Sequence, residues 1–187
     1  MTQSIYIAFF KPYGILSQFT SDKIEETLSV FNLPKDVYPV GRLDKDSEGL
    51  MILSNDGSFI DHVINPKFEK EKTYWVQVEN IPSEESMDVL RRGNIEIQDY
   101  KTKPAKVHIL DPQPEFPERN PPVRFRKSIP TCWLEIKITE GKNRQVRRMT
   151  ASINHPTLRL IRMRVGKQHL GTLKPGEWIE IKRSDVL

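Results

Sequence analysis

The sequence predicts an α+β fold built on a largely antiparallel sheet. Short runs rich in β-branched and aromatic residues recur from end to end, at residues 5–10, 73–78, 132–138 and 158–165. Helical spacing occurs only in scattered stretches between them, and many short strands with a few helices define that class. No internal repeat or low-complexity tract is present, which argues against a solenoid.

In chain order, the strand at 5–10 stops at Lys11-Pro12-Tyr13-Gly14, where proline and glycine set a turn. Residues 22–33 place Ile24, Leu28 and Phe31 at helical spacing, and Pro34 ends that helix. Residues 37–40 and 50–53 read as buried strands on either side of a loop with two glycines, an arginine and three acids. After the turn Ser54-Asn55-Asp56-Gly57 comes a short helix with Phe59, Ile60, Val63 and Ile64 as its apolar side, ended by Pro66.

The strand at 73–78 leads to Ser83, the N-cap of a helix that carries Met87 and Leu90 and closes at Gly93. Short strands follow at 95–97 and 105–110, and five prolines between Asp111 and Pro122 make an extended loop. The strand at 132–138 breaks at Gly141, before a helix over 143–153 with Val146, Met149 and Ile153 on one side. At about 100° per residue, Arg144, Arg147 and Arg148 gather roughly opposite, Arg147 nearest the apolar border. Strands at 158–165 and 178–181 complete the set.

At 187 residues the chain can bury an ordinary core, as one domain over 1–187 or as two lobes near 1–65 and 66–187. No apolar run approaches the ~20 residues of a membrane helix. The start, Met1-Thr2-Gln3-Ser4, lacks the basic and apolar regions of a secretory signal, and the single Cys132 permits no internal disulfide, so a cytoplasmic protein is expected. No long apolar surface helix calls for a partner copy, which points to a monomer. The net charge of +4 is unevenly placed. Residues 1–121 carry an excess of acids, whereas residues 122–170 hold 12 Lys+Arg against Glu135 and Glu140 alone. Such a basic segment fits either a polyanionic partner, with RNA or DNA first, or a solvated face.

The chain is organised around Gly41-Arg42-Leu43-Asp44-Lys45-Asp46-Ser47-Glu48-Gly49-Leu50. Three chemistries compete for this loop. Asp44, Asp46, Glu48 and Gly49 occupy positions of an EF-hand loop, but Asn55 stands where a bidentate Glu is needed, and the flanks read as strands. Asp44 pairing with Arg42 at a surface turn is the second reading. The third makes Asp44 a catalytic acid, base or nucleophile, a choice residue chemistry alone leaves open.

Gly41-Arg42-Leu43-Asp44 with Ser47-Glu48-Gly49-Leu50 resembles the signature motif of the pseudouridine synthases, in the branch acting on bacterial ribosomal RNA. Lys11-Pro12-x-Gly14 resembles that family's first motif, and Lys72-Thr73-Tyr74 its tyrosine strand. The run from Glu140 through Arg144-Gln145-Val146-Arg147-Arg148-Met149 resembles its third motif, and Leu158-x-Leu160-x-Arg162 with Val165-Gly166 its last. Residues 119–124 and 126–134 resemble one subgroup of the large-subunit enzymes. Phe10 stands where the family usually has Asn, and the catalytic domain is expected to work without the S4-like RNA-binding domain that many relatives carry.

The resemblance implies a pseudouridine synthase fold with a catalytic cleft across the middle of the sheet. It implies isomerisation of one uridine of large-subunit rRNA, with no redox cofactor, ATP or metal. It casts Asp44 as the catalytic carboxylate and Arg147 as the guanidinium that keeps it ionised. Tyr74 is implied to stack on the uracil and to help remove the C5 proton. Attack by Asp44 at C1′, at C6, or on the C2′ proton all remain open. Arg42 is expected to enter the space left by the flipped base or to grip the neighbouring phosphates, Arg144, Arg148 and Arg162 to contact the backbone, and Lys11 to bind RNA as well. Two rival readings are an RNA-binding assembly factor that keeps the fold without the reaction, and a small-sugar or nucleotide enzyme with a coincidental match.

Overall fold

The computed structural model describes residues 3–123 and 128–187; Arg124, Arg126 and Lys127 of the expected subgroup segment lie outside the described residues. By internal contacts the chain forms two compact units, Met1–Lys70 with Ile161–Leu187, and Glu71–Leu160.

The first unit opens with β1 (Tyr6–Lys11), buried along its length after the half-buried Tyr6. The helix expected at 22–33 is instead two 3-10 turns, Ile24–Glu26 and Leu28–Phe31. Thr27 separates them in extended backbone, its hydroxyl donating to the Ile24 carbonyl at 2.7 Å and accepting from the Ser29 N–H at 3.3 Å. A side chain that bonds backbone on both sides offers an alternative to the helical ladder. Of the three apolar residues only Leu28 is fully buried, and Ile24 faces solvent.

The strand expected at 37–40 is reduced to β2 (Tyr38–Pro39), with Tyr38 exposed. Proline has no N–H for a ladder, which confines such a strand to an edge. β3 (Glu48–Ser54) is buried throughout and starts earlier than expected, so Glu48 and Gly49 belong to the sheet. α1 (Gly57–Ile64) is capped by Asp56, whose carboxylate accepts from the Ser58 and Phe59 N–H groups. Phe59 and Val63 face the core while Ile64 is exposed.

The second unit runs β4 (Lys72–Glu79), α2 (Glu84–Arg92, capped by Ser83), β5 (Glu96–Ile97), β6 (Tyr100–Lys101), β7 (Lys106–Ile109) and β8 (Thr131–Ile138). β8 lies antiparallel between β4 and β7, with Ile136 opposite both Tyr74 and Val107. Val76, Val78, Leu134 and Ile136 fill its core, each such burial contributing ~1.5–3 kcal/mol. The proline-rich stretch has no regular structure. Phe116 fixes it, its ring 6.2 Å from Trp133 and 5.8 Å from Trp75, with the Pro117 carbonyl accepting from Arg159 at 2.8 Å.

α3 (Gln145–Ser152) starts later than expected because Arg144 takes a left-handed backbone, φ +51°. β9 (Thr157–Val165) carries the chain back into the first unit, where β10 (Gln168–His169), β11 (Trp178–Glu180) and α4 (Arg183–Val186) complete it. The first unit's sheet has the order β11-β1-β3-β9, antiparallel except where Glu48 and Gly49 run parallel to Ile161 and Arg162. The α+β class and the mostly antiparallel sheet are as predicted. Among the described residues no helix is long and apolar enough to cross a membrane.

Candidate active site

The loop between β2 and β3 is tied down on both sides of Asp44. The Ser17 hydroxyl donates to the Leu43 carbonyl at 2.6 Å and accepts from the Leu43 N–H at 3.0 Å. The Lys45 carbonyl accepts from the Gly14 N–H at 2.8 Å, and the Lys11 ammonium reaches it at 3.5 Å. The Ser47 N–H bonds back to the Asp44 carbonyl at 3.0 Å, closing a turn. Leu43 is buried, Asp44 half-buried, and Arg42 exposed with its guanidinium on Gln18 at 3.3 Å. Lys45 pairs with Glu26. A half-buried carboxylate between two anchored neighbours is held where it can act as nucleophile or base. Ser17 carries much of this and was missed in the sequence, where a serine in a turn has no distinguishing signal.

Beneath the loop lies a buried charge cluster. Lys11 is 0% exposed and its ammonium donates to the Pro12 and Ile15 carbonyls at 2.8 and 2.7 Å. Burial pulls its pKa down to about 7, against the opposing pull of the Glu48, Asp46 and Asp44 carboxylates and with the Arg162 guanidinium adding to the decrease. Arg162 is 3% exposed; its Nε donates to the Leu50 carbonyl at 2.7 Å, and among the described residues its Nη2 has no hydrogen-bond partner. Lys11 and Arg162 were expected to grip RNA, yet both are interior. Each sits on the inward side of a buried strand, where its polar atoms satisfy carbonyls of the loop and sheet. Among the described residues no group of three or more His, Cys, Asp or Glu side chains is disposed to hold a metal ion. Glu48, one of the EF-hand positions, is buried in β3.

The other predicted residues belong to the second unit. Tyr74 is buried on β4. On α3, Arg147 and Arg148 are half-buried, and Arg148 donates to Asn143 Oδ1 at 3.1 Å. Arg144, just before the helix, is exposed. The far end of α3 is pinned by Thr150, whose hydroxyl lies 2.7 Å from that of Thr157. The structure thus gathers Lys11, Arg42, Asp44 and Arg162 in one unit and Tyr74, Arg144, Arg147 and Arg148 in the other.

The model of the RNA pseudouridylate synthase family matches residues 5–152, which takes in the Asp44 loop, the Tyr74 strand and all of α3. The chain belongs to that family. This pseudouridine synthase is 54% identical over 176 residues to ribosomal large subunit pseudouridine synthase E of Vibrio parahaemolyticus, covering 94% of this chain and 73% of the relative. It is 52% identical to the protein of the same name from Xanthomonas axonopodis pv. citri, over 88% of this chain and 87% of that one. A solved structure titled crystal structure of pseudouridylate synthase superposes with a TM-score of 0.80 at 26% identity, over 100% of this chain and 74% of the other. The synthase is therefore an isomerase acting on RNA, and the subgroup expected from residues 119–134 is that of these relatives.

Proposed function

We propose that this synthase converts one uridine of large-subunit (23S) rRNA to pseudouridine, with Asp44 as the catalytic carboxylate. The observation that carries the substrate is the 54% identity, over 94% of the chain, to an enzyme named for the large ribosomal subunit. The N1–C1′ bond of the uridine is broken, the uracil turns, and a new bond joins C5 to C1′. C5 then gives up its proton while N1, freed from the sugar, takes one up, so the product is an isomer. The target base must first leave its stack, which costs a few kcal/mol.

Asp44 acts on the sugar or the base from its anchored loop, and Arg147 serves as its charge partner, as the match of both motifs implies. Tyr74 stacks on the uracil and assists removal of the C5 proton; a phenol of pKa ~10 needs help or a water for that task. Arg42, exposed beside Asp44, fills the space of the flipped base, and Arg144 and Arg148 hold phosphates. Lys11 and Arg162 support the loop from within. The whole chain acts as one catalytic domain, a monomer in the cytoplasm, on rRNA or a pre-ribosomal particle.

Mapping pseudouridine in rRNA from cells with and without this protein tests the assignment. One large-subunit site lost on deletion and restored by the wild-type chain is expected. An unchanged large-subunit map would refute the substrate.

A further inference from the structure

We propose that Tyr100, acting through Glu140, is a positioning residue for the reaction: it fixes the first turn of α3 and thereby the Arg147 side chain. The inference rests on the catalytic reading of Arg147 above.

An α-helix leaves its first N–H groups without intrahelical partners. At α3 the residue before the helix, Arg144, gives no side-chain cap. Instead, Gln145 ties down the turn that leads into the helix. Its side chain is buried, its Oε1 accepts from the Lys142 N–H at 3.0 Å, and its Nε2 donates to the Glu140 carboxylate. One amide therefore closes the turn from 140 to 145 on itself.

Glu140 is itself buried, and a buried carboxylate is stable only when donors surround it. Beyond Gln145, two donors come from outside the α3 motif. The Lys103 N–H reaches Oε1 at 3.0 Å, and the Tyr100 hydroxyl donates to Oε2. The hydrogen bond to Glu140 pushes the phenol up to about 12, so it remains a donor at neutral pH. The Lys142 ammonium sits 4.3 Å from the centre of the Tyr100 ring, a cation–π contact that joins the two segments a second time.

The β5–β6 hairpin, too short to add much to a sheet, thus has a use. It delivers one hydroxyl and one ring face to the turn that launches α3. Two residues beyond Gln145 stands Arg147, half-buried on the same short helix. A shift of the first turn moves that guanidinium, and misplacement by about 1 Å costs up to ~100-fold in rate.

The test is steady-state pseudouridine formation on a large-subunit rRNA fragment, with the full-length wild-type chain, Tyr100→Phe, Gln145→Ala and the double variant. Each single change is expected to lower kcat by about ten- to a hundredfold with KM within about twofold. The double variant is expected to be little worse than the poorer single one, because both act through one carboxylate. Glu140→Gln, which keeps an acceptor for Lys103 and Gln145, should retain far more kcat than Glu140→Ala.

Wild-type kcat in Tyr100→Phe, losses that multiply in the double variant, or losses confined to KM would overturn the inference. So would equal kcat in Glu140→Gln and Glu140→Ala, or losses that vanish once rates are corrected for the folded fraction from thermal melts. Arg147→Ala separates the two levels of the argument. If it is inactive while Tyr100→Phe is fully active, the positioning role alone fails. If Arg147→Ala keeps wild-type kcat, the reading beneath it fails as well.

Discussion

A side chain at Gly49 has no room because of Arg162: a Cβ built there lies 2.4 Å from the Arg162 carbonyl oxygen and 2.6 Å from its backbone nitrogen. Gly49 also has φ +103°, a conformation that L side chains rarely adopt. The second glycine of the loop motif is thus where β3 meets β9, four residues past the candidate catalytic carboxylate's neighbour Lys45. Gly49→Ala should destabilise the fold by about 3 kcal/mol and abolish activity with it. Urea denaturation checks this, and an unchanged midpoint would contradict it.

Ser17→Ala removes both partners of a buried residue's backbone at once. The Leu43 N–H and carbonyl then lose their contacts at 3.0 and 2.6 Å. An expected cost of ~2–4 kcal/mol follows from leaving two such groups unmet. Because Leu43 precedes Asp44, kcat should fall while RNA affinity holds; filter binding and turnover on one preparation separate the two.

The arginines of the last two motifs should behave differently from one another. Arg144 is exposed, so Arg144→Ala should leave the melting temperature unchanged and flatten the salt dependence of RNA binding by about one unit of slope. Arg162→Met removes the donor to the Leu50 carbonyl and a buried guanidinium, and should cost ~2–3 kcal/mol in stability. Its effect on the salt slope should be nil. Titrating affinity against salt for both variants makes the comparison.

Acid sensitivity should trace in part to Asp56. The Tyr6 hydroxyl, the Phe59 and Ser58 donors and the Arg183 guanidinium hold its pKa at about 2, below the ordinary 3.8. A lowered folded-state value adds stability that is fully present above the unfolded value and is lost as pH falls from about 4 towards 2. Asp56→Asn should flatten that limb of the stability curve. Melting temperatures across this range, measured for both proteins, decide the point.

Much of the fold could be read from local pattern, and the reasons for the exceptions are physical. The strands of residues 5–10, 73–78 and 132–138 appeared where alternating or buried apolar runs predicted them, since one face or both meet a core. The stretch at 22–33 has helical spacing but not a helix, because the Thr27 hydroxyl bonds its own backbone on both sides. Local side-chain bonding to the backbone, not periodicity, made that choice.

In the site, the loop around Asp44 was legible from its composition, but its anchoring by Ser17 was not. Lys11 and Arg162 show the same limit from the other side. As cations in a basic or motif-bearing stretch they resembled phosphate contacts, and only the three-dimensional structure reveals that they lie inside. Glu140 and Gln145 were visible as motif letters, whereas Tyr100 joins them across 40 residues of sequence and carries no local signature.

The central claim is that Asp44 performs the chemistry. Asp44→Asn keeps the size of the side chain and removes its charge, so pseudouridine formation on the rRNA fragment should disappear while RNA binding stays within a few-fold of wild type. An Asp44→Asn protein that still forms pseudouridine at the wild-type rate would contradict the account.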